Sequence, residues 1–288
     1  MRLSLFLLFT GFLLFSCTKT ELETVDGNIA PPDRTIETVT IENYVTRTYI
    51  LVLGREPSTT EFETATNSLI SSGVDSTSRA QFLNTVFSSP AYLPNVYQQN
   101  NIDLLNNADT AEFSNWISIF EFLLLDSANI LQFQFLQYEI DRMIKMKEAY
   151  PEFTIGAIGV DELQRRMCNN YIYDQINMGS ANFVISTFQH LINRNPTAAE
   201  QTSGVSMVDG SNAIIFLEAG TTKTDYLTIL TESDNYFEAQ VVFMYQKYLN
   251  RAPVTQEMSA GTLKYSSTGD YTLVQKDILS TDEFIGIQ

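Results

Sequence analysis

One histidine, two cysteines and 17 Lys+Arg set against 34 Asp+Glu leave this 288-residue chain short of several kinds of chemistry. Phosphate binding needs clustered Lys and Arg, so a formal charge of −17 argues against nucleic acid as a partner. A single histidine, His190, excludes a His-rich metal site. There is no His-Glu-x-x-His, Cys-x-x-Cys or Cys-x-x-Cys-His, so neither zinc nor covalent haem is indicated. No Gly-x4-Gly-Lys-[Ser/Thr] phosphate loop occurs, and Gly204-Val205-Ser206-Met207-Val208 lacks the final glycine of a nucleophile elbow. Asp209-Gly210-Ser211-Asn212 is turn chemistry, because a calcium loop alternates oxygen ligands and ends in a distal Glu. The expectation is a non-enzyme with no catalytic residue, no metal and no cofactor. Charged residues are also sparse, at 18%, against 44% apolar residues, which is the balance of a chain with a packed core rather than of a disordered polyelectrolyte.

The chain begins Met1-Arg2 and continues in an apolar run, Leu3 to Phe15, too short for a stable bilayer span of about 20 residues. One positive charge before such a run is the layout of a secretory signal peptide, residues 1–16. Its end, Leu14-Phe15-Ser16-Cys17, resembles the bacterial lipobox, with a bulkier residue than usual at Phe15. The resemblance implies that Cys17 is lipidated, becomes the mature N-terminus and is then acylated, tying the protein to a membrane. The alternative is an ordinary signal peptide cut near Ser16, with Cys17 incidental. Residues 17–40, with Pro31-Pro32 and almost nothing to bury, read as a tether reaching roughly 25–30 Å if flexible. Thr18 is not an inner-membrane retention residue, and the Phe/Leu-rich leader followed by Lys-Thr-Glu resembles lipoproteins of the Bacteroidota. An outer-membrane anchor is expected, with the periplasmic or cell-surface face left open. Cys168 is then the sole internal cysteine, without a disulfide partner, and reads as a buried structural thiol.

The body carries an internal repeat. Tyr44, Tyr49, Leu53, Arg55, Pro57 and Glu61 recur 139 residues later as Phe183, Phe188, Ile192, Arg194, Pro196 and Glu200. Five of the six recur after a further 57 residues as Tyr245, Leu249, Arg251, Pro253 and Glu257, with Gln240 where the first aromatic stood. Each copy closes on a Ser/Thr and an aromatic three residues later: Ser89 and Tyr92, Ser233 and Tyr236, Thr281 and Phe284. Tyr44, Val45, Thr48, Tyr49, Val52 and Leu53 fall at helical spacing, and Gly54-Arg55 suits a helix C-terminus. Pro57 forbids continuation, and Ser58-x-x-Glu61 is a capping box for a second helix; Thr197-x-x-Glu200 repeats it, while Val254 replaces the cap in the third copy. The second helices are expected over residues 59–71, 198–219 and 256–265, and a third helix carries the closing phrase. Asn193 and Asn250 replace Gly54, and Asn also tolerates the left-handed conformation.

This phrase resembles a family of bacterial helical domains of unknown function, related to the phycobilisome linker domain and found in secreted and surface proteins. The resemblance covers residues 41–95 best and 181–288 less well. It implies a fold and transfers no catalytic residue. The expected organisation is all-α: repeat one over 41–96, a helical middle segment over 97–180, repeat two over 181–236 and repeat three over 237–288. The three copies are three-helix units, and the middle segment is a candidate fourth, degenerate unit.

In that middle segment helices are expected over 112–126 and 127–150, ending before Pro151, with a loop over 151–161 and a helix capped by Asp161 running toward Asn177. Phe133, Phe135, Tyr138, Met143 and Met146 read as core, the alternative being an exposed peptide groove. The repeated arginines read as helix-end residues paired with Glu rather than as ligand clamps. The function expected from these features is a lipid-anchored helical scaffold or adaptor for partner proteins of the cell envelope. A surface module binding a glycan or peptide is the alternative, and an envelope hydrolase the remote one.

Overall fold

A computed structural model describes residues 36–287; the signal peptide 1–16, Cys17 and the tether up to residue 35 lie outside the described residues. The described body is all-α, with fifteen α-helices, one short 3-10 helix and a single two-stranded hairpin. The expected tether overshoots by a few residues, because Ile36 already packs on the core and the first helix starts at Thr38.

Repeat one supplies α1 (Thr38–Leu53), α2 (Thr59–Ser72) and α3 (Ser76–Phe87), followed by α4 (Tyr92–Leu105). The predicted apolar stripe of α1 is its buried face: Ile41, Tyr44, Val45, Thr48, Tyr49, Val52 and Leu53. Gly54 ends the helix at φ 69°, its N–H bonded to Ile50 O, a conformation that carries a steric penalty for side chains with a Cβ. Asn193 and Asn250 take the same left-handed position in the other copies, at φ 56° and 54°.

The middle segment forms α5 (Thr110–Leu124), the 3-10 helix Ser127–Gln132, α6 (Phe133–Thr154), α7 (Val160–Cys168) and α8 (Tyr171–Ile176). Two expectations fail here. Helix α6 runs through Pro151 rather than stopping before it. The proline sits in the last turn, where few hydrogen bonds are left to lose, and the residues beyond it are anchored. Phe153 is buried and Glu152 pairs with Arg166 of α7 at 2.8 Å. Asp161 does not cap α7; Gly159 does, leaving Asp161 in the first turn, where the helix dipole favours an acid. That helix also stops at Cys168 instead of reaching Asn177. Asn170 turns the chain, donating to Met167 O while its side-chain oxygen accepts from Tyr173 N and starts α8.

Repeats two and three supply α9 (Ser180–Ile192), α10 (Ala198–Val208), α11 (Lys223–Glu232), α12 (Asp234–Leu249), α13 (Thr255–Thr268), α14 (Tyr271–Leu279) and α15 (Asp282–Ile285). The helix expected over 198–219 ends at Val208, and a hairpin of β1 (Ala213–Ile215) and β2 (Glu218–Gly220) follows, pairing Ile215 with Glu218. Phe216 and Leu217 form its two-residue turn, both at positive φ as this tight geometry demands. The closing Ser-x-x-aromatic phrase belongs to the following helix, not to the third. Ser233 Oγ accepts from Tyr236 N and Thr281 Oγ1 from Phe284 N, both at 3.2 Å, while Ser89 O accepts from Tyr92 N. The aromatic of each is buried.

First and second helices meet closely in copies two and three, where Val184 and Val241 face Gly204 and Gly261. A Cβ on Gly204 would lie 2.9 Å from Val184 Cγ1, and one on Gly261 3.0 Å from Val241 Cγ1. The body closes on itself, α15 packing on α1 with the Phe284 ring 5.9 Å from that of Tyr44. Arg47 Nη1 donates to Phe284 O at 3.1 Å, and Arg79 reaches both Ser280 O and Asp282.

Candidate functional site

The repeated residues build the same joint three times. Arg55 grips Glu61 with two nitrogens at 2.7 and 2.8 Å, Arg194 grips Glu200 likewise, and Arg251 grips Glu257. Each arginine also donates to the backbone carbonyl of the next residue and lies over the aromatic six positions earlier, 5.5 Å from Tyr49, 5.2 Å from Phe188 and 5.2 Å from Tyr245. The glutamates in turn accept the backbone N–H of Ser58, Thr197 and Val254. Ser58 and Thr197 return the bond and complete their capping boxes; Val254 has no side-chain acceptor, so the third box is half made. Leu53 and Ile192 are buried and Leu249 half-buried, while Pro57, Pro196 and Pro253 precede the caps. Arg251 additionally grips Glu283 of α15 at 2.7 Å. With its fork committed to protein acceptors, each arginine is a staple across a helix junction rather than a ligand clamp.

The staples make a pH prediction. The paired guanidinium holds the carboxyls of Glu61 and Glu200 down at about 2, against an ordinary value of 4.5. Because the folded value is the lower one, the stabilisation is complete above pH 4.5 and is lost as pH falls toward 2. Glu200→Gln should therefore lower stability at pH 7 by about 1 kcal/mol, and the gap to the wild type should narrow below pH 4.5. Urea titrations at pH 7, 5 and 3 measure it; a gap that does not change with pH would contradict the pairing.

Burial pushes the Cys168 thiol up to about 12, so it is no nucleophile at neutral pH. His190 is half-buried with Nδ1 2.9 Å from the Tyr173 hydroxyl, and desolvation lowers its pKa, opposed by Asp103. No group of three or more His, Cys, Asp or Glu suited to a metal ion occurs among the described residues.

Most of the tyrosines lie in the core, and the exposed aromatics other than Tyr150 fall between Phe122 and Tyr138. The chain turns through 111° between α5 and α6, and no residue of the 3-10 helix between them is buried by the described residues. Phe122, Leu125, Ile130 and Leu131 are 72%, 83%, 74% and 96% exposed, with Phe133 and Phe135 beside them. The expectation of core is corrected for Phe133 and Phe135, and largely for Tyr138, whereas Met143 and Met146 are fully buried. The opposite faces, with Phe113, Ile117, Phe120, Leu136 and Ile140, satisfy the core, so the tip side chains are surplus to it. Glu121 and Asp126 are the charges between Phe120 and Leu136, with no cation among them. No single helix among the described residues is long and apolar enough to cross a membrane. A contiguous exposed apolar patch of this kind marks an interaction surface.

Behind the tip lies a charge cluster that sequence reasoning missed. Arg142, 4% exposed, donates to Glu139, to Asp174 at 2.9 Å and to Asn169 at 3.3 Å, and lies 4.7 Å over the Tyr138 ring. Lys223 Nζ closes the cluster on Asp174 at 2.8 Å. Two cations and two anions balance, tying α6, α8 and α11 together under an open cleft that Phe135 and Met178 help to line. The sequence signal was present as Glu139 and Arg142 three apart, but that spacing usually describes a solvated surface pair.

No protein-family model, no curated protein and no solved structure matches the chain.

Proposed function

We propose that this protein is a non-enzymatic adaptor of the bacterial cell envelope, tethered to the outer membrane by lipid on Cys17, whose α5–α6 tip docks a partner protein. The observation that carries the reading is the tip itself, where Phe122, Leu125, Ile130, Leu131 and Phe133 are 52–96% exposed and none of the described residues covers them. Leaving so much apolar surface wet is unfavourable unless a partner covers it. The charge around it says what kind of partner fits. Glu121 and Asp126 flank the tip on a strongly acidic chain, so the complementary surface is an apolar groove rimmed by Lys and Arg. The repeated staples, each spent on holding two helices together, and the resemblance of their phrase to secreted helical domains support a structural role.

The test is crosslinking on intact cells expressing a tagged full-length copy, followed by detergent pull-down and protein identification. The quadruple variant L125S/I130S/L131S/F133S should keep the wild-type melting temperature and lose at least ten-fold of the captured partner. Recovery of the same proteins by both forms, or of none by either, would overturn the adaptor reading. Cys17→Ser in the same cells should move the protein from the membrane to the soluble fraction; unchanged partitioning would end the lipid-anchor reading.

A further inference from the structure

The charge cluster beneath α6 is the floor of a cleft whose mouth adjoins the apolar tip. Phe135, Tyr138 and Arg142 fall at i, i+3 and i+7 of α6, on one face of the helix, so the stripe that begins beside the tip runs on into the cleft. Phe135 and Tyr138 are 55% and 38% exposed. Tyr171 of α8 and Met178, in the connection from α8 to α9, complete the apolar wall. Tyr171 is held in place by Trp116 and Phe120 of α5, with ring centroids 4.4 and 5.0 Å away. Met178 is 67% exposed, and its unbranched thioether chain can adapt to an occupant. A fixed ring beside an adaptable methionine, around a volume of about 610 Å³, leaves room for a large side chain.

The floor asks nothing of that occupant. Asp174 gives one oxygen to Arg142 at 2.9 Å and the other to Lys223 at 2.8 Å, and Glu139 is taken by Arg142. Arg142 Nε has no partner among the described residues, but it is itself fully covered and meets no occupant. Two cations against two anions leave no net charge, so a charged group entering the cleft would shed its water without gaining a partner. Most of the accessible wall is ring carbon and thioether, which an apolar side chain covers favourably. Because Phe135 belongs to the tip and to the cleft alike, a protein that covers the tip passes the cleft mouth. The helical rise puts Tyr138 only about 7–8 Å along α6 from Phe133.

We propose that the protein docked on the tip also plants one large apolar side chain, a leucine or an aromatic, in this cleft. The inference rests on the adaptor reading and adds an anchor to it: the tip enters the partner's groove, and a knob of the partner enters the cleft. Charge complementarity stays at the tip, where Glu121 and Asp126 meet the partner's Lys and Arg, and the cleft supplies the uncharged, desolvated contact.

The test places photoreactive benzoylphenylalanine at Leu131 on the tip, at Met178 on the cleft, or at Leu263 of α13, which is 69% exposed, in the full-length chain in intact cells. One partner should crosslink at Leu131 and at Met178 but not at Leu263, and the peptide joined at Met178 should hold a leucine or an aromatic residue. Met178→Asn, on an exposed connection outside the tip, should keep the wild-type melting temperature and lose at least ten-fold of the captured partner. Crosslinking at Leu131 without Met178, a joined peptide with no large apolar residue, or full capture by Met178→Asn would overturn the cleft anchor and leave the adaptor reading standing. Equal yield at Leu263 would mean unselective contact and overturn the anchor as well. No crosslink at Leu131 would end the adaptor reading itself, and this inference with it.

Discussion

Glu139→Leu should destabilise the folded body by about 3–5 kcal/mol, because it leaves a buried guanidinium short of its countercharge. Glu139 and Arg142 are 3% and 4% exposed, and Arg142 Nε already lacks a partner, so no solvent is at hand to take over the lost contact. With Glu139 gone, Arg142 and Lys223 share Asp174 alone, and the cluster carries a net positive charge. The double variant Glu139→Leu/Arg142→Met removes one charge of each sign and leaves Lys223 paired with Asp174. It should recover most of the loss, since replacing a buried pair by apolar groups is often close to neutral. Urea denaturation at pH 7 measures both. A single-variant loss below about 1 kcal/mol, or a double variant worse than the single, would mean that these four charges do not share one buried site.

Tyr236→Ala should remove about 3–5 kcal/mol, the usual loss for deleting a large buried ring. The ring is fully buried, edge-on to Phe237 at 5.5 Å, and its backbone N–H is capped by Ser233. Its hydroxyl carries a second, separable contribution, the bond to Gln164 Oε1 at 2.8 Å that fixes the amide Gln164 also uses to reach Asn100. Tyr236→Phe keeps the ring and breaks that bond, so it should cost about 1–2 kcal/mol by leaving Gln164 unsatisfied. Thermal and urea unfolding of both variants separate ring from hydroxyl; near-equal losses would mean that the hydroxyl, not the packing, dominates at this position.

The staple residues were legible because the contacts they share in all three copies are near in the chain; the extra grip of Arg251 on Glu283 is not. Arg55, Pro57, Ser58 and Glu61 lie within seven positions, and their helix end, cap and ion pair follow from the spacing of residue types. The left-handed Asn193 and Asn250 were legible for the same reason. What misled was a local rule applied where a distant contact overrides it. Pro151 stops a helix unless the residues after it are held, and Phe153 and the Glu152–Arg166 pair hold them. The hairpin at 213–220 broke a stretch read as one helix because Asp209-Gly210, recognised as turn chemistry, ended α10 early.

The candidate sites divide the same way. Gln240 stood out in the sequence as the one departure from a repeated aromatic, but that its amide nitrogen is buried without a partner among the described residues follows only from the packing around α12. Phe133 and Met143 belong to one apolar, helical run; Met143 is covered by the core and Phe133 stands half in solvent. The amino-acid sequence alone determined the all-α class, the thrice-used helix joint and its caps, because hydrophobic period, caps and short-range pairs act within a few residues. Only the tertiary structure decided which apolar residues stay exposed, which charges are enclosed together and which amide is buried without a partner, because burial belongs to the assembled elements and not to any one of them.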